Sequence, residues 1–168
     1  MAEAEFEQDV RSTIRGALYW GSGDAPRQQD SDPAGLRFMV PRGGGWLARR
    51  PNPASLLPWL SETDLDFYVG EFTRTGFRGG LNWYRNIDRN WELLAPLAGA
   101  RVSVPALYIA GDRDLVVSFP GMDQLIPNLS TFVPQLRGTI MLPGCGHWTQ
   151  QERAQEVNAA MIQFLRDL

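Results

Sequence analysis

The stretch "PGCGHWTQQE", residues 143–152, carries the only histidine of the chain, His147, and its only cysteine, Cys145. An imidazole takes up and releases protons near neutral pH, so His147 is a candidate general base if a second group orients it. Asp114 is the candidate for that group. It follows the apolar run "ALYIA" through "GDRD", just as His147 follows "TIMLP" through "GCG". If the two runs are neighbouring parallel strands, both residues stand just past the carboxyl ends, where parallel α/β sheets place their sites. A carboxylate that accepts the Nδ1–H bond fixes the tautomer and stabilises the imidazolium formed when Nε2 takes a proton. The plainer alternative is a turn aspartate and a histidine of no chemical consequence. Asp112 is a competing acid in the same turn, although its place beside the strand end suits it to bonding turn amides.

A base must act on something. The chain contains no G-x-S-x-G nucleophile motif, and "WGSGD" at 20–24 does not follow a strand. Cys145 lies two residues before His147, and in so tight a turn their side chains would diverge, which leaves a Cys–His dyad as the weaker alternative. One histidine and one cysteine are too few for a structural zinc site, and no cofactor or metal is called for. The pair has an orienter and a base, and water is the only group in view for it to activate.

The elements that must position these residues are legible in part. Phe6, Val10, Ile14 and Leu18 recur at helical spacing over residues 2–19, with Glu7 four before Arg11. A long irregular stretch, 21–60, holds six prolines and the run Gly43-Gly44-Gly45. Ser61 with Asp64 marks a helix start and Gly76 its stop. Leu81, Tyr84, Ile87, Trp91 and Leu94 form one face of a further helix over 79–94, which on periodicity alone makes Tyr84 a core aromatic. Short strands are expected at 106–111 and 139–144, with a helix between them opened by Ser118 and Pro120. Thr149 with Glu152 has the spacing of a capping box, and Ala154, Val157, Met161, Phe164 and Leu168 trace a final amphipathic helix. The last third is therefore strand, helix, strand, helix, with parallel strands.

Composition narrows the function classes. Among 168 residues, 43% are hydrophobic and 21% charged, as in a soluble globular domain with a core of its own. A net charge of −3 argues against nucleic acid or an anionic membrane as partner. No apolar run approaches a membrane span, and "MAEAEFEQDV" does not read as a secretory signal. A single cysteine suits a reducing compartment, so a cytoplasmic location is expected.

Four segments, "GFRGGLNWYRNIDRNWEL", "VPALYIAGDRDLV", "FPGMDQLIPNL" and "LPGCGHWTQQE", together with "VPRGGGWL" in the long loop, resemble the soluble epoxide hydrolases of the α/β-hydrolase superfamily. The order acid-then-histidine is that of the second half of the superfamily's triad. The resemblance implies an α/β fold. Residues 1–100 would be a helical cap or lid with the long loop 21–60, and 101–168 the C-terminal core fragment. It implies hydrolysis of epoxides to vicinal diols through an ester on an aspartate nucleophile, with a small apolar epoxide and water as substrates. His147 would match the general base, Asp114 its orienter and Tyr84, in "NWYRN", a cap tyrosine that hydrogen-bonds the epoxide oxygen. An opening epoxide develops alkoxide charge, to which a phenol is a suitable donor.

Departures from the family pattern matter as much. Nothing here resembles the H-D-W-G turn that carries the nucleophile, and the H-G-x-P segment of the oxyanion hole and the second cap tyrosine are missing too. The chain looks like the C-terminal half of a family member, and alone it is expected to be inactive. A two-stranded fragment would expose apolar faces and an open edge, so poor stability, a homo-oligomer or pairing with a complementary N-terminal half is expected. Two alternatives stay open: a non-catalytic or split-enzyme fragment that binds an apolar ligand or that other half, and a haloalkane dehalogenase-like hydrolase using the same aspartyl-ester logic.

Overall fold

The computed structural model describes residues 2–26, 45 and 52–168. Most of the expected loop 21–60, with all of "VPRGGGWL" except Gly45, lies outside the described residues. These residues form two compact units: 2–19 with 45 and 52–99, and 20–26 with 100–168.

The first unit is helical. Its opening segment is two helices, α1 (Ala2–Phe6) and α2 (Val10–Gly21), where one was expected. The break has a local cause: Asp9 accepts hydrogen bonds from the Ser12 N–H and hydroxyl, 2.9 and 2.7 Å, and so caps a new helix. Glu7 falls in the break, and Arg11 pairs with Glu62 and Asp66 of the next helix instead. That helix, α3 (Glu62–Thr75), starts and stops where expected. Ser61 and Asp64 form a reciprocal capping box, and Gly76 ends the helix at φ 69°, a left-handed value that disfavours a side chain. The helix expected over 79–94 is likewise two, α4 (Arg78–Arg85) and α5 (Ile87–Leu94). Asn86 interrupts it by turning its side-chain amide back onto the Asn82 carbonyl at 2.8 Å. Ile14, Leu57, Leu60, Leu65 and Phe77 are buried. The Phe77 ring stacks on Phe72 and meets Phe6 edge-on.

The second unit holds a two-stranded parallel sheet, β1 (Ala106–Gly111) and β2 (Leu136–Leu142). β2 starts three residues earlier than expected and stops before Pro143. Leu107 pairs with Gly138, and the register runs on to Gly111 opposite Leu142. Burial alternates along β2, with Leu136, Gly138, Ile140 and Leu142 on the covered face and Arg137, Thr139 and Met141 exposed. The connection between the strands is not the single helix expected. It is a chain of short turns: a 3-10 turn Leu115–Ser118, α6 (Met122–Leu125), a second 3-10 turn Ile126–Asn128 and α7 (Leu129–Phe132). Pro120 and Pro127, each lacking a backbone N–H, limit helix length here.

After β2 come α8 (Thr149–Glu152) and α9 (Ala154–Arg166). Thr149 is not the cap. Trp148 holds that position without a side-chain capping hydrogen bond to the helix, while Thr149 is the buried first residue of α8. Val157 of α9 packs with Leu142 and Cys145 against Ile109 and Ile140, whereas Met161 and Leu168 of the expected apolar stripe are exposed. Among the described residues no helix is long and apolar enough to cross a membrane.

Candidate active site

Parallel strands in register deliver their C-terminal turns side by side. The chain leaves β1 at Gly111 and β2 at Leu142, and the two turns are stapled together. The Asp112 N–H donates to the Leu142 carbonyl at 3.1 Å, and its carboxylate accepts the Gly144 N–H at 2.7 Å. The competing acid is thus engaged with turn amides.

Asp114 turns its carboxylate toward the histidine. The Asp114 N–H donates to the Gly111 carbonyl at 3.2 Å, which closes the turn. Its Oδ1 accepts the Val116 N–H at 2.9 Å and so caps the 3-10 turn Leu115–Ser118. Fixed in this way, the carboxylate places both oxygens 3.1 Å from Nδ1 of His147. A carboxylate acceptor on that nitrogen puts the proton on Nδ1 in neutral histidine and leaves the Nε2 lone pair as the base. The Asp114 side chain is 12% exposed and that of His147 43%, so the acid is covered while the imidazole reaches solvent.

The electrostatics follow from this geometry. The hydrogen bond to Asp114 raises the His147 pKa above its ordinary value, against a burial effect that would lower it. Burial pushes the Asp114 carboxyl up, but hydrogen bonds from His147 and from the Val116 N–H outweigh it, and its pKa lies below the usual carboxylate value. Each partner therefore favours the charged form of the other.

Cys145 does not serve as a nucleophile. Its side chain is fully buried in the cluster with Leu142 and Val157, and burial pushes the thiol up to about 11. Tyr84 lies on α4 in the first unit and is 74% exposed, not the core aromatic that periodicity alone suggested. Among the described residues no cluster of three or more His, Cys, Asp or Glu side chains is placed to hold a metal ion.

Sequence reasoning missed the scaffold behind His147. The segment 21–25 packs against the turn that carries the histidine. The Gly21 carbonyl accepts the His147 N–H at 2.7 Å. Arg113 ties the same regions together, donating its N–H to the Cys145 carbonyl and its guanidinium to the Ala25 carbonyl, each at 2.9 Å. The Glu152 carboxylate accepts the N–H groups of Gly23, Gly146 and Trp148 at 2.8, 2.9 and 3.0 Å. The approach demands glycine: a Cβ on Gly146 would lie 2.4 Å from the Gly23 nitrogen and 2.5 Å from the Gly21 oxygen. The signal present in the sequence was the pairing of two glycine-dense turns, "WGSGD" and "GCG", which only tertiary structure reveals as one junction.

No protein-family model matches the chain. Individual proteins do. Epoxide hydrolase A of Mycobacterium tuberculosis is 45% identical over 168 residues, which is all of this chain and 49% of that protein. The crystal structure of Epoxide Hydrolase A from Mycobacterium thermoresistibile superposes with a TM-score of 0.79 at 44% identity, covering 99% of this chain and 49% of the other. Potato (Solanum tuberosum) epoxide hydrolase I gives a TM-score of 0.83 at 36% identity with the same coverage. The chain spans about half the length of the curated relatives it matches. Matched along its whole length to roughly their C-terminal half, the chain belongs to the epoxide hydrolase family of the α/β-hydrolase superfamily.

Proposed function

We propose that this chain supplies the water-activating half of an epoxide hydrolase, with His147 as the general base, Asp114 as its orienter and Tyr84 as a phenol donor to the epoxide oxygen. In this reading residues 1–100 are the cap, save the segment 20–26 that packs with the core, and 101–168 are the end of the catalytic core. The observation that carries it is the contact of both Asp114 oxygens with Nδ1 of the single histidine, at the tips of paired parallel strands.

The chemistry then runs in two steps. An aspartate carboxylate from the complementary N-terminal half attacks an epoxide carbon. The C–O bond breaks, and the ring oxygen takes a proton from the Tyr84 phenol. Nε2 of His147 next removes a proton from water and the hydroxide attacks the ester carbonyl; the imidazolium gives that proton to the departing diol oxygen as the ester C–O bond breaks, and the proton left on the aspartic acid restores the Tyr84 phenol. Asp114 holds the ring and stabilises the imidazolium formed in this step.

The partner in this reading is the complementary N-terminal half. β1 pairs only with β2 among the described residues, which leaves its other edge without a strand, and a strand in that half would complete the sheet. Phe132, Met161, Ile162 and Leu165 of the same unit are exposed and suit an apolar partner surface. The lone buried Cys145 fits work in the reducing cytoplasm.

Co-expression tests the reading. The chain is paired with the N-terminal half of the Mycobacterium tuberculosis epoxide hydrolase A, and diol is measured from an aryl epoxide. Turnover is expected in the paired sample and not from the chain alone. With His147→Ala the sample should accumulate a covalent ester, visible as a mass increase equal to that of the epoxide. Diol formation that survives His147→Ala, with no ester trapped, would overturn the assignment.

A further inference from the structure

We propose that Glu152 is a positioning residue for the base: one carboxylate holds three backbone amides and thereby keeps the His147 imidazole on Asp114. The geometry is specific. Oε2 of Glu152 accepts the Gly23 and Gly146 N–H groups at 2.8 and 2.9 Å, and Oε1 accepts the Trp148 N–H at 3.0 Å. Two of these amides flank His147 in the chain. The third belongs to the segment whose Gly21 carbonyl takes the His147 N–H at 2.7 Å. Three successive N–H groups, at 146, 147 and 148, are therefore fixed, and Glu152 also anchors the segment that fixes the middle one. Only side-chain torsions remain, and the bonds to Asp114 set those.

A carboxylate suits this task better than a neutral acceptor. It offers two oxygens with no donor of its own, and its bonds to amides are charge-assisted. A glutamine has one acceptor oxygen, and its NH2 would point at an amide N–H. The glutamate is also the last residue of α8, so the length of that single turn sets its reach back to the loop.

The proposal rests on the reading of His147 as the base, and the readouts below separate the two. The chain has one histidine, so labelled imidazole NMR reports His147 without assignment. In the unaltered chain neutral His147 should be the Nδ1–H tautomer. With Glu152→Gln the Nδ1–H signal should weaken toward a mixture of tautomers. In the sample paired with the N-terminal half, kcat for diol formation should fall about 10- to 100-fold with KM little changed, the range that misplacement by about 1 Å produces.

Glu152→Asp separates positioning from mere charge. It keeps the charge but shortens the reach, and it should behave like Glu152→Gln, whereas full rescue by Asp would overturn the proposal. Arg153→Ala, which removes a neighbouring bond to the Pro143 carbonyl, should leave the tautomer unchanged. A folded Glu152→Gln chain with unaltered imidazole signals and kcat would also overturn it. Should neither Glu152 variant fold, hydrogen exchange of the unaltered chain decides. Protection of the Gly23, Gly146 and Trp148 amides by about tenfold or more supports the contacts, and free-peptide exchange rates refute them. Failure of the base assignment shows separately, as diol formation that persists in His147→Ala.

Discussion

Gly146→Ala is the most informative single change, because it adds one methyl group at the junction that carries the base. The new Cβ would meet the Gly23 nitrogen and the Ser22 carbonyl carbon at 2.4 Å and the Gly21 oxygen at 2.5 Å. All three are backbone atoms, so no side-chain rotation relieves the contact. To reach an ordinary separation of about 3.5 Å, one loop must withdraw by about 1 Å. Overpacking of this kind costs about 1–3 kcal/mol. The same withdrawal stretches the His147 N–H bond to Gly21 and the Gly23 N–H bond to Glu152, now 2.7 and 2.8 Å, past hydrogen-bonding range. Losing a neutral bond and one to a charged group adds about 2–4 kcal/mol. Gly146 does not have a positive φ, so no dihedral strain enters, and a less flexible unfolded chain returns about 0.4–1 kcal/mol. The net loss is about 2–6 kcal/mol, or a fall in Tm of about 5–25 °C for a chain of this size. Gly70→Ala is the matched control. It makes the same change inside α3, where a Cβ meets nothing within 4 Å, and should stabilise by about 0.5–1 kcal/mol. Thermal and urea unfolding followed by circular dichroism measure both. A Gly146→Ala chain as stable as the unaltered one would refute the close approach of the two loops, and with it the scaffold assigned to His147.

Other outcomes follow from the same geometry. Asp114→Asn should cost most stability between about pH 4 and pH 6.5, because between the ordinary Asp and His pKa values both partners' contributions are complete. The raised His147 pKa makes its share complete below its ordinary value and lost as pH rises through the folded value. The lowered Asp114 pKa makes its share complete above its ordinary value and lost as pH falls through the folded one. Urea melts of both chains at pH 5 and pH 9 check this, and an equal difference at the two would contradict it. Cys145 should resist a thiol reagent in the native chain and react only in denaturant; rapid native labelling would contradict its burial. Ser61→Ala should cost about 1 kcal/mol in urea unfolding through loss of the capping box on α3, and no loss would show that the cap is frayed in solution.

How much was legible in the sequence depended on the range of the interaction. Short-range chemistry read well: the Ser61–Asp64 start and Gly76 stop of α3 are set by groups within one turn of each other. The two strands and the placing of Asp114 and His147 at their tips were legible because short apolar runs ending in glycine turns mark strands of a parallel pair. Helix continuity was not. Asp9 and Asn86 break long amphipathic stretches by bonding backbone or hydroxyl groups three or four residues away, a competition that the apolar period does not register. The role of Glu152 was hidden for the opposite reason. Its spacing from Thr149 suggested a local cap, but one of its three partners, Gly23, lies 129 residues away. The sequence also showed nothing of the segment 20–26 joining the C-terminal unit, since no local pattern records a tertiary contact.

The central claim is that Asp114 fixes His147 so that Nε2 is the base, and nitrogen NMR of the single imidazole tests it most directly. The neutral ring should carry its proton on Nδ1, with a pKa above the ordinary histidine value that drops in Asp114→Asn. A neutral ring protonated on Nε2, with a pKa that Asp114→Asn leaves unmoved, would contradict it.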